Sequence, residues 1–254
     1  MGAIELLKEI GVWVKSRKNI GIYGSSMVGK SVFAAILAKE FVGDEGTVII
    51  YGTEEHYSDD DYRGMISGFL PKNNYINYCG SITDLFRYMN ILLHKRIEGK
   101  LALILDSLSF IAMRETGYLN ARGIIEPRAV SARVVPLLYS VSSLFKKLVV
   151  EKDALGIMIM HASSMAGTGK FRGIVDLKPS MAMRVAHSLD YLLLMTSEGA
   201  RLEDPRTITV VASRLNPAIE GQSIKFVFKD TTVVKHVGEE ERSSKQKTIK
   251  QFSK

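Results

Sequence analysis

The chain has 254 residues, of which 46% are hydrophobic and 24% charged, with a formal net charge of +7. That length and apolar share suit one large α/β domain with its own core, and no second domain is required. No apolar run approaches the ~18 residues of a membrane span, and Glu5, Lys8 and Glu9 interrupt the amino-terminal segment where a signal peptide would be apolar, so a cytoplasmic location without membrane contact is expected.

In chain order, Ile4, Leu7, Ile10 and Val14 recur at helical spacing with Trp13 beside them, which predicts an amphipathic packing helix. An apolar run at residues 20–23 predicts a strand, and residues 32–41 a helix. Between them stands Gly24-Ser25-Ser26-Met27-Val28-Gly29-Lys30-Ser31, which fits GxxxxGK[ST]. A loop of this kind between strand and helix binds a nucleoside triphosphate: its backbone N–H groups wrap the phosphates, the lysine reaches the β and γ phosphates, and the last hydroxyl ligates Mg²⁺. Gly24 through Ser31, with Val32 after them, are the predicted nucleotide-binding residues.

Further strands are predicted at residues 47–51, 75–79 and 101–105, separated by helical patterns such as residues 85–97. Val134, Leu137, Leu138, Val141, Phe145 and Leu148 form the stripe of a long helix, with Pro136 expected to kink its early part. Later strands fall at 156–160, 191–195, 207–211 and 223–228, the last in hairpin-like succession around Pro217 and Gly221. This alternation predicts an α/β fold, a mostly parallel sheet flanked by helices with antiparallel strands near the carboxyl end. No internal repeat is present. The single cysteine, Cys79, excludes an internal disulfide framework and reads as a buried structural thiol. Residues 1–237 form the expected domain, and 238–254 turn polar and charged, as a solvated, disordered tail would. The positive charge suits a polyanionic partner, although a triphosphate and this tail account for part of it.

Leu101 to Asp106 is a strand ending in a carboxylate that can hold Mg²⁺ through water, together with Ser31. No guanine-specifying Asn-Lys-x-Asp occurs, and Asp106 is followed by Ser107-Leu108-Ser109 rather than the Asp-x-x-Gly of GTPases, so ATP is the expected nucleotide. Two strand-like runs lie between the phosphate loop and Asp106, which separates this chain from P-loop proteins whose metal carboxylate sits on the adjacent strand.

With these residues in place, the chain resembles the RecA/RadA recombinase superfamily, most closely the archaeal RadA paralogues (RadB- or RadC-like) and KaiC-like ATPases, over residues 19–237. The resemblance implies a RecA-like P-loop core with a strand inserted between the strand before the phosphate loop (Walker A) and the strand ending in Asp106 (Walker B). It rests also on Tyr51-Gly52-Thr53-Glu54-Glu55, placed like the family's strand-end glutamate that polarises the attacking water. Glu54 is the first choice for that base and Glu55 the second, with Lys30 on the phosphates. A solvated loop acid is the plainer reading of both glutamates.

Two loops after Walker B contact single-stranded DNA in these recombinases. The matching segments are residues 112–126, with Arg114, Arg122 and, just beyond, Arg128, and residues 163–179, with Lys170, Phe171, Arg172 and Lys178. An exposed flexible loop is the alternative, since Tyr118 and Phe171 are the only aromatic residues placed to stack. His161 stands where the family has a polar sensor of the γ phosphate, but Ala162 follows it and the usual Asn-Gln pair is not retained. Arg214 falls near the position of a residue that reaches across a subunit boundary in KaiC-like proteins. Met27 occupies a position often small in the family, and a turn altered by its bulk is expected to keep its phosphate contacts and to slow turnover.

About twenty residues precede the loop, so the amino-terminal DNA-binding domain of RadA and a Phe-x-x-Ala polymerisation motif are expected to be absent. The resemblance therefore implies a RadA paralogue that binds ATP and Mg²⁺, hydrolyses ATP slowly, binds single-stranded DNA through its loops or its tail, and assists homologous recombination and DNA repair. The RadA recombinase and a second copy of the chain are the candidate protein partners. The alternative is a KaiC-like or motility-associated module in which ATP sets a conformation read by proteins and no DNA is touched.

Overall fold

A computed structural model describes residues 2–162, 185, 187–199, 201 and 203–236. Their elements are α1 (Ala3–Glu9), β1 (Asn19–Gly24), α2 (Lys30–Val42), β2 (Thr47–Gly52), α3 (Asp60–Ser67), β3 (Asn74–Tyr78), α4 (Ile82–His94), β4 (Leu101–Asp106), α5 (Leu108–Ala121), α6 (Pro127–Glu151), β5 (Leu155–His161), β6 (Tyr191–Ser197), β7 (Arg206–Ser213), β8 (Ser223–Lys229) and β9 (Thr232–Lys235). The strands form one nine-stranded sheet in the order β3-β2-β4-β5-β1-β6-β7-β8-β9.

From β3 to β6 the pairing is parallel, and β7, β8 and β9 continue it antiparallel. The sequence shows why. β1, β2 and β4 are buried at every residue, as unbroken apolar runs covered by helices on both faces must be. β8 instead alternates, with Ile224, Phe226 and Phe228 inward and Lys225 outward, the pattern of a sheet that meets water on one side. On one face Leu6, Leu7, Phe33, Leu37 and Ile66 of α1, α2 and α3 pack on Ile20, Ile22, Ile104 and Ile157. On the other, Leu85, Ile111, Leu138 and Phe145 of α4, α5 and α6 pack on Tyr23, Leu103 and Met158.

The strand separating the Lys30 end of β1 from the Asp106 end of β4 is β5, which comes from downstream of Asp106. The two runs between the motifs in sequence, β2 and β3, lie beyond β4 instead. Helix α1 stops at Glu9, ahead of Gly11 with φ 78°, so Val14 lies outside it and Trp13 is 51% exposed rather than packed. Its amino end is closed by the Glu40 carboxylate of α2, which accepts from the Ala3 and Ile4 amides at 2.8 and 3.0 Å. Residues 112–126, expected as a mobile loop, are mostly helix, since α5 runs to Ala121 and α6 starts at Pro127. Helix α6 is helical throughout, with Pro136 inside it. Cys79 is buried, and that burial pushes its thiol up to about 12. The tail beyond residue 236 lies outside the described residues.

Candidate functional site

Parallel register brings the carboxyl ends of four strands to one edge. Gly24 of β1 pairs with His161 of β5, and Gly52 of β2 pairs with Asp106 of β4. Crevices outside the carboxyl ends of parallel strands are where such sheets bind ligands.

The phosphate loop spans Gly24 to Lys30, and each of its glycines has a local reason. A Cβ on Gly24 would stand 2.1 Å from the Met195 carbonyl oxygen of β6, and one on Gly29 would stand 2.7 Å from the Phe228 ring. Gly29 has φ 89° and Met27 φ 64°, so left-handed residues flank Val28. Alternation of this kind turns successive N–H groups inward as an anion nest, and α2 begins at once behind it with no side chain capping its first amides. Met27 keeps the turn at the mouth of the loop, 85% exposed. Val32 packs half-buried against the core on the α2 face.

Lys30 is buried, and its ammonium donates to the Gly24 and Ser25 carbonyls at 3.1 and 2.6 Å. Burial lowers its pKa, against the raising fields of Asp106 and Glu54. The Ser31 hydroxyl donates to Asp106 Oδ2 at 2.6 Å, and so does the Tyr57 hydroxyl, also at 2.6 Å. Asp106 is 1% exposed. Burial and the Glu54 charge push its carboxyl above the usual range, beyond what the two hydroxyl donors recover. Ser31 and Asp106 offer hard oxygen donors close together, which suits Mg²⁺. Among the described residues no cluster of three or more His, Cys, Asp or Glu side chains could hold a metal by itself, so phosphate and water oxygens would complete the shell.

Glu54 enters the same cluster and Glu55 stays exposed in the turn Glu55–Ser58. Glu54 Oε1 lies 2.7 Å from His161 Nε2, and Oε2 lies 3.6 Å from His56 Nδ1. Burial raises the Glu54 carboxyl, but hydrogen bonds with His161 and Ser107 and the fields of His161 and His56 outweigh it, and the net effect holds it below the ordinary carboxylate range. The other ring nitrogen of His161 faces Ser26 Oγ at 3.3 Å, and its backbone N–H donates to Ser109 Oγ at 2.9 Å. His161 therefore joins the phosphate loop to the candidate base. Thr53 braces the two strand ends, its N–H donating to the Asp106 carbonyl at 2.7 Å and its hydroxyl to the Ser107 carbonyl at 2.7 Å.

Sequence reasoning passed over Tyr57, Tyr62 and His56. Their rings pack together, His56 and Tyr62 at 4.1 Å between centroids and Tyr57 and Tyr62 at 5.1 Å. Burial and the Asp106 charge push Tyr62 up to about 12 and Tyr57 well above its ordinary value, so both hydroxyls stay protonated donors. The available signal was their position, within a few residues of a strand-end glutamate. Arg206 and Phe228, which lie behind the loop, gave no signal, because only the register of β6, β7 and β8 brings them there.

Of the expected DNA residues, the three that are described have different surroundings. Arg114 sits in α5 and donates to the Gly80 carbonyl at 2.6 Å and the Cys79 carbonyl at 3.3 Å. Arg122, at the end of α5, lies 4.9 Å from the Tyr118 ring centroid, and Arg128 is exposed in the first turn of α6. Lys170, Phe171, Arg172 and Lys178 lie outside the described residues. Arg214 follows β7 at the opposite edge of the sheet, where its guanidinium donates to the His187 carbonyl at 2.5 Å and its amide to that of Asp190 at 3.0 Å.

No protein-family model matches the chain, and neither does any curated protein. Solved structures do. The crystal structure of the RadB recombinase superposes with a TM-score of 0.61 at 13% identity, covering 91% of this chain and 96% of its own. A second solved structure, an isolated ATPase domain, superposes with a TM-score of 0.61 at 13% identity, covering 92% of this chain and 90% of its own. The fold is therefore the RecA-like P-loop fold, a mostly parallel sheet between helices with antiparallel strands at its carboxyl end. No described helix is long and apolar enough to cross a membrane.

Proposed function

We propose that this chain is an ATP-binding RecA-core protein of the RadA-paralogue kind, a cytoplasmic protein with weak Mg²⁺-dependent ATPase activity and affinity for single-stranded DNA, assisting homologous recombination and DNA repair. The observation that carries the reading is the convergence of Lys30, Ser31, Asp106, Glu54 and His161 at one sheet edge, where Ser31 bonds to Asp106 at 2.6 Å, His161 faces Glu54 at 2.7 Å and Ser26 at 3.3 Å, and Lys30 bonds to the loop carbonyls. The likeness of the fold to a recombinase and to an ATPase domain supports it.

The loop amides and Lys30 take up phosphate charge, with the ammonium exchanging the Gly24 and Ser25 carbonyls for phosphate oxygens. Ser31 and Asp106 would hold Mg²⁺, which when bound would supply further neutralisation of the phosphates. Glu54, kept ionised by His161, accepts the proton of the attacking water. Because His161 also meets Ser26, occupation of the loop and the placement of Glu54 are coupled through one imidazole. Most of the rate gain in such chemistry is positioning and electrostatics. The RadA recombinase or a second copy of the chain is the protein partner this reading favours.

A second reading is favoured by Arg114, whose guanidinium is committed to backbone carbonyls and leaves one cation fewer for DNA. There the chain is a KaiC-like or motility-associated module that binds ATP and proteins only. A titration with oligothymidylate across salt concentrations, with and without ATP and Mg²⁺, separates the two. Affinity that falls steeply with salt and weakens on charge reversal at Lys170 and Arg172 supports the first. No affinity at low salt leaves the second, and no calorimetric heat with ADP and Mg²⁺ removes both.

A further inference from the structure

One buried cation touches the phosphate loop from behind, from the antiparallel part of the sheet. Arg206, the first residue of β7, is 1% exposed. Its Nε donates to the Val28 carbonyl at 3.0 Å and its Nη2 to the Arg201 carbonyl at 2.7 Å, while Nη1 meets the Asp204 carbonyl. The guanidinium lies 4.9 Å from the Phe228 ring centroid, and Gly29 is in tight contact with the same ring. A planar fork fixed by several carbonyls and an aromatic platform has little freedom to turn.

The contact with Val28 has a geometric consequence. The peptide from Val28 to Gly29 is planar and trans, so the Val28 carbonyl and the Gly29 N–H point in opposite directions. Holding that oxygen against Arg206 therefore aims the Gly29 N–H away from β7, toward the concave side of the loop. We propose that Arg206 is a positioning residue for the phosphate loop, which orients the Val28–Gly29 peptide through the Val28 carbonyl and sets the anion nest before nucleotide arrives, with Phe228 as its platform. The inference rests on the nucleotide-binding reading above and adds a part that the motif does not contain. The loop is braced by a strand laid down some 180 residues later (Val28 to Arg206), so phosphate affinity depends on the β7–β8 pairing as well as on the motif.

The test uses the full chain. Arg206→Met removes the donors at similar length, Arg206→Lys keeps the charge without the fork, and Phe228→Leu removes the platform. Each is measured by calorimetry with ADP and Mg²⁺ and by the amide resonance of Gly29 in nucleotide-free protein, with Gly43 and Gly99 as distant controls. Arg206→Met is expected to weaken ADP binding about tenfold, as losing one charge-assisted hydrogen bond does, and to displace the Gly29 resonance while the controls stay. Arg206→Lys recovers part of the loss and Phe228→Leu shows a smaller one. A folded Arg206→Met with ADP affinity within about twofold of the parent and an unmoved Gly29 resonance overturns the proposal. If Arg206→Met does not fold, Phe228→Leu with both readouts unchanged overturns it instead. Should the parent chain bind no ADP, the nucleotide reading fails, and the Gly29 resonance then decides this proposal alone.

Discussion

The phosphate edge of the sheet and the α5–α6 region are built from similar polar residues with opposite results. At the edge, register aligns Gly24 with His161 and Gly52 with Asp106, and the side chains beyond them close on one another in hydrogen bonds. Along α5 and α6 the basic side chains diverge, with Arg114 bonded to carbonyls at the end of β3, Arg122 resting on Tyr118 and Arg128 facing water. Chemistry that needs a particular backbone is fixed by the sheet. A basic side chain on a helix surface is fixed only by the partners its helix brings within reach.

The largest break in that contrast comes from Lys30→Ala. Two charge-assisted bonds of ~2 kcal/mol each amount to an affinity loss of about a thousandfold, seen by calorimetry with ADP, while circular dichroism stays that of the folded chain. Retained binding would mean that the edge is not a phosphate site. Glu54→Gln comes next: turnover falls by about a hundredfold or more in a phosphate-release assay, and ATP affinity is kept. Equal loss of both would make Glu54 a structural anchor for His161.

Two carboxylates within the edge make a finer comparison. Glu54 is held below its ordinary value, so it stabilises the fold above that ordinary value and the contribution is lost as pH falls through the folded one, in acid below about pH 4. Asp106 is raised, so the folded state binds its proton more tightly and stability rises as pH falls from the raised value toward about pH 4. Asp106→Asn keeps an oxygen for Ser31 and Tyr57 and removes the buried charge. Its melting temperature without nucleotide is expected to rise by a few degrees and to lose this pH dependence, while added Mg²⁺ is expected to strengthen ADP binding less than it does in the parent chain. A lower melting temperature would show that the ionised carboxylate stabilises the site.

The phosphate loop, Asp106, Glu54 and the parallel sheet were readable because each leaves a local mark: glycines where a Cβ cannot fit, unbroken apolar runs for strands buried on both faces, a carboxylate where a run stops. Even so, the inserted strand was right in kind and came from a different part of the chain, because strand order is a tertiary property. Helix α3 has no counterpart among the predicted elements, although Asp59 caps it by accepting from the Asp61 and Tyr62 amides. Tyr57 left only its place three residues after Glu54, and Arg206 left no local mark at all. Each acts through a pairing distant in sequence, with Asp106 and Val28.

In the α5–α6 region, Arg114→Ala is expected to cost about 1 to 2 kcal/mol of stability, because it strips donors from the Cys79 and Gly80 carbonyls, and to leave single-stranded DNA binding unchanged. Charge reversal of Arg122 and Arg128 should do the opposite, weakening DNA binding severalfold with a shallower salt slope at constant melting temperature. Should Arg114→Ala affect DNA instead, the two regions would be less different than their hydrogen bonds suggest.

The smallest effect belongs to Met27. Its φ of 64° places a side chain where L residues lose roughly 1 to 2 kcal/mol, and at 85% exposure it has little packing to lose on removal. Met27→Gly relieves that strain but adds freedom to the unfolded chain, a cost of about 0.5 to 1 kcal/mol. The net gain is then about 0 to 1.5 kcal/mol, a rise of roughly two degrees in melting temperature at the middle of that range. Because phosphates are bound through backbone N–H groups, ADP affinity should stay within about twofold. A large drop in that affinity would mean that the thioether itself covers the bound nucleotide, and would turn the one left-handed residue of the loop that is not glycine from a tolerated strain into a contact.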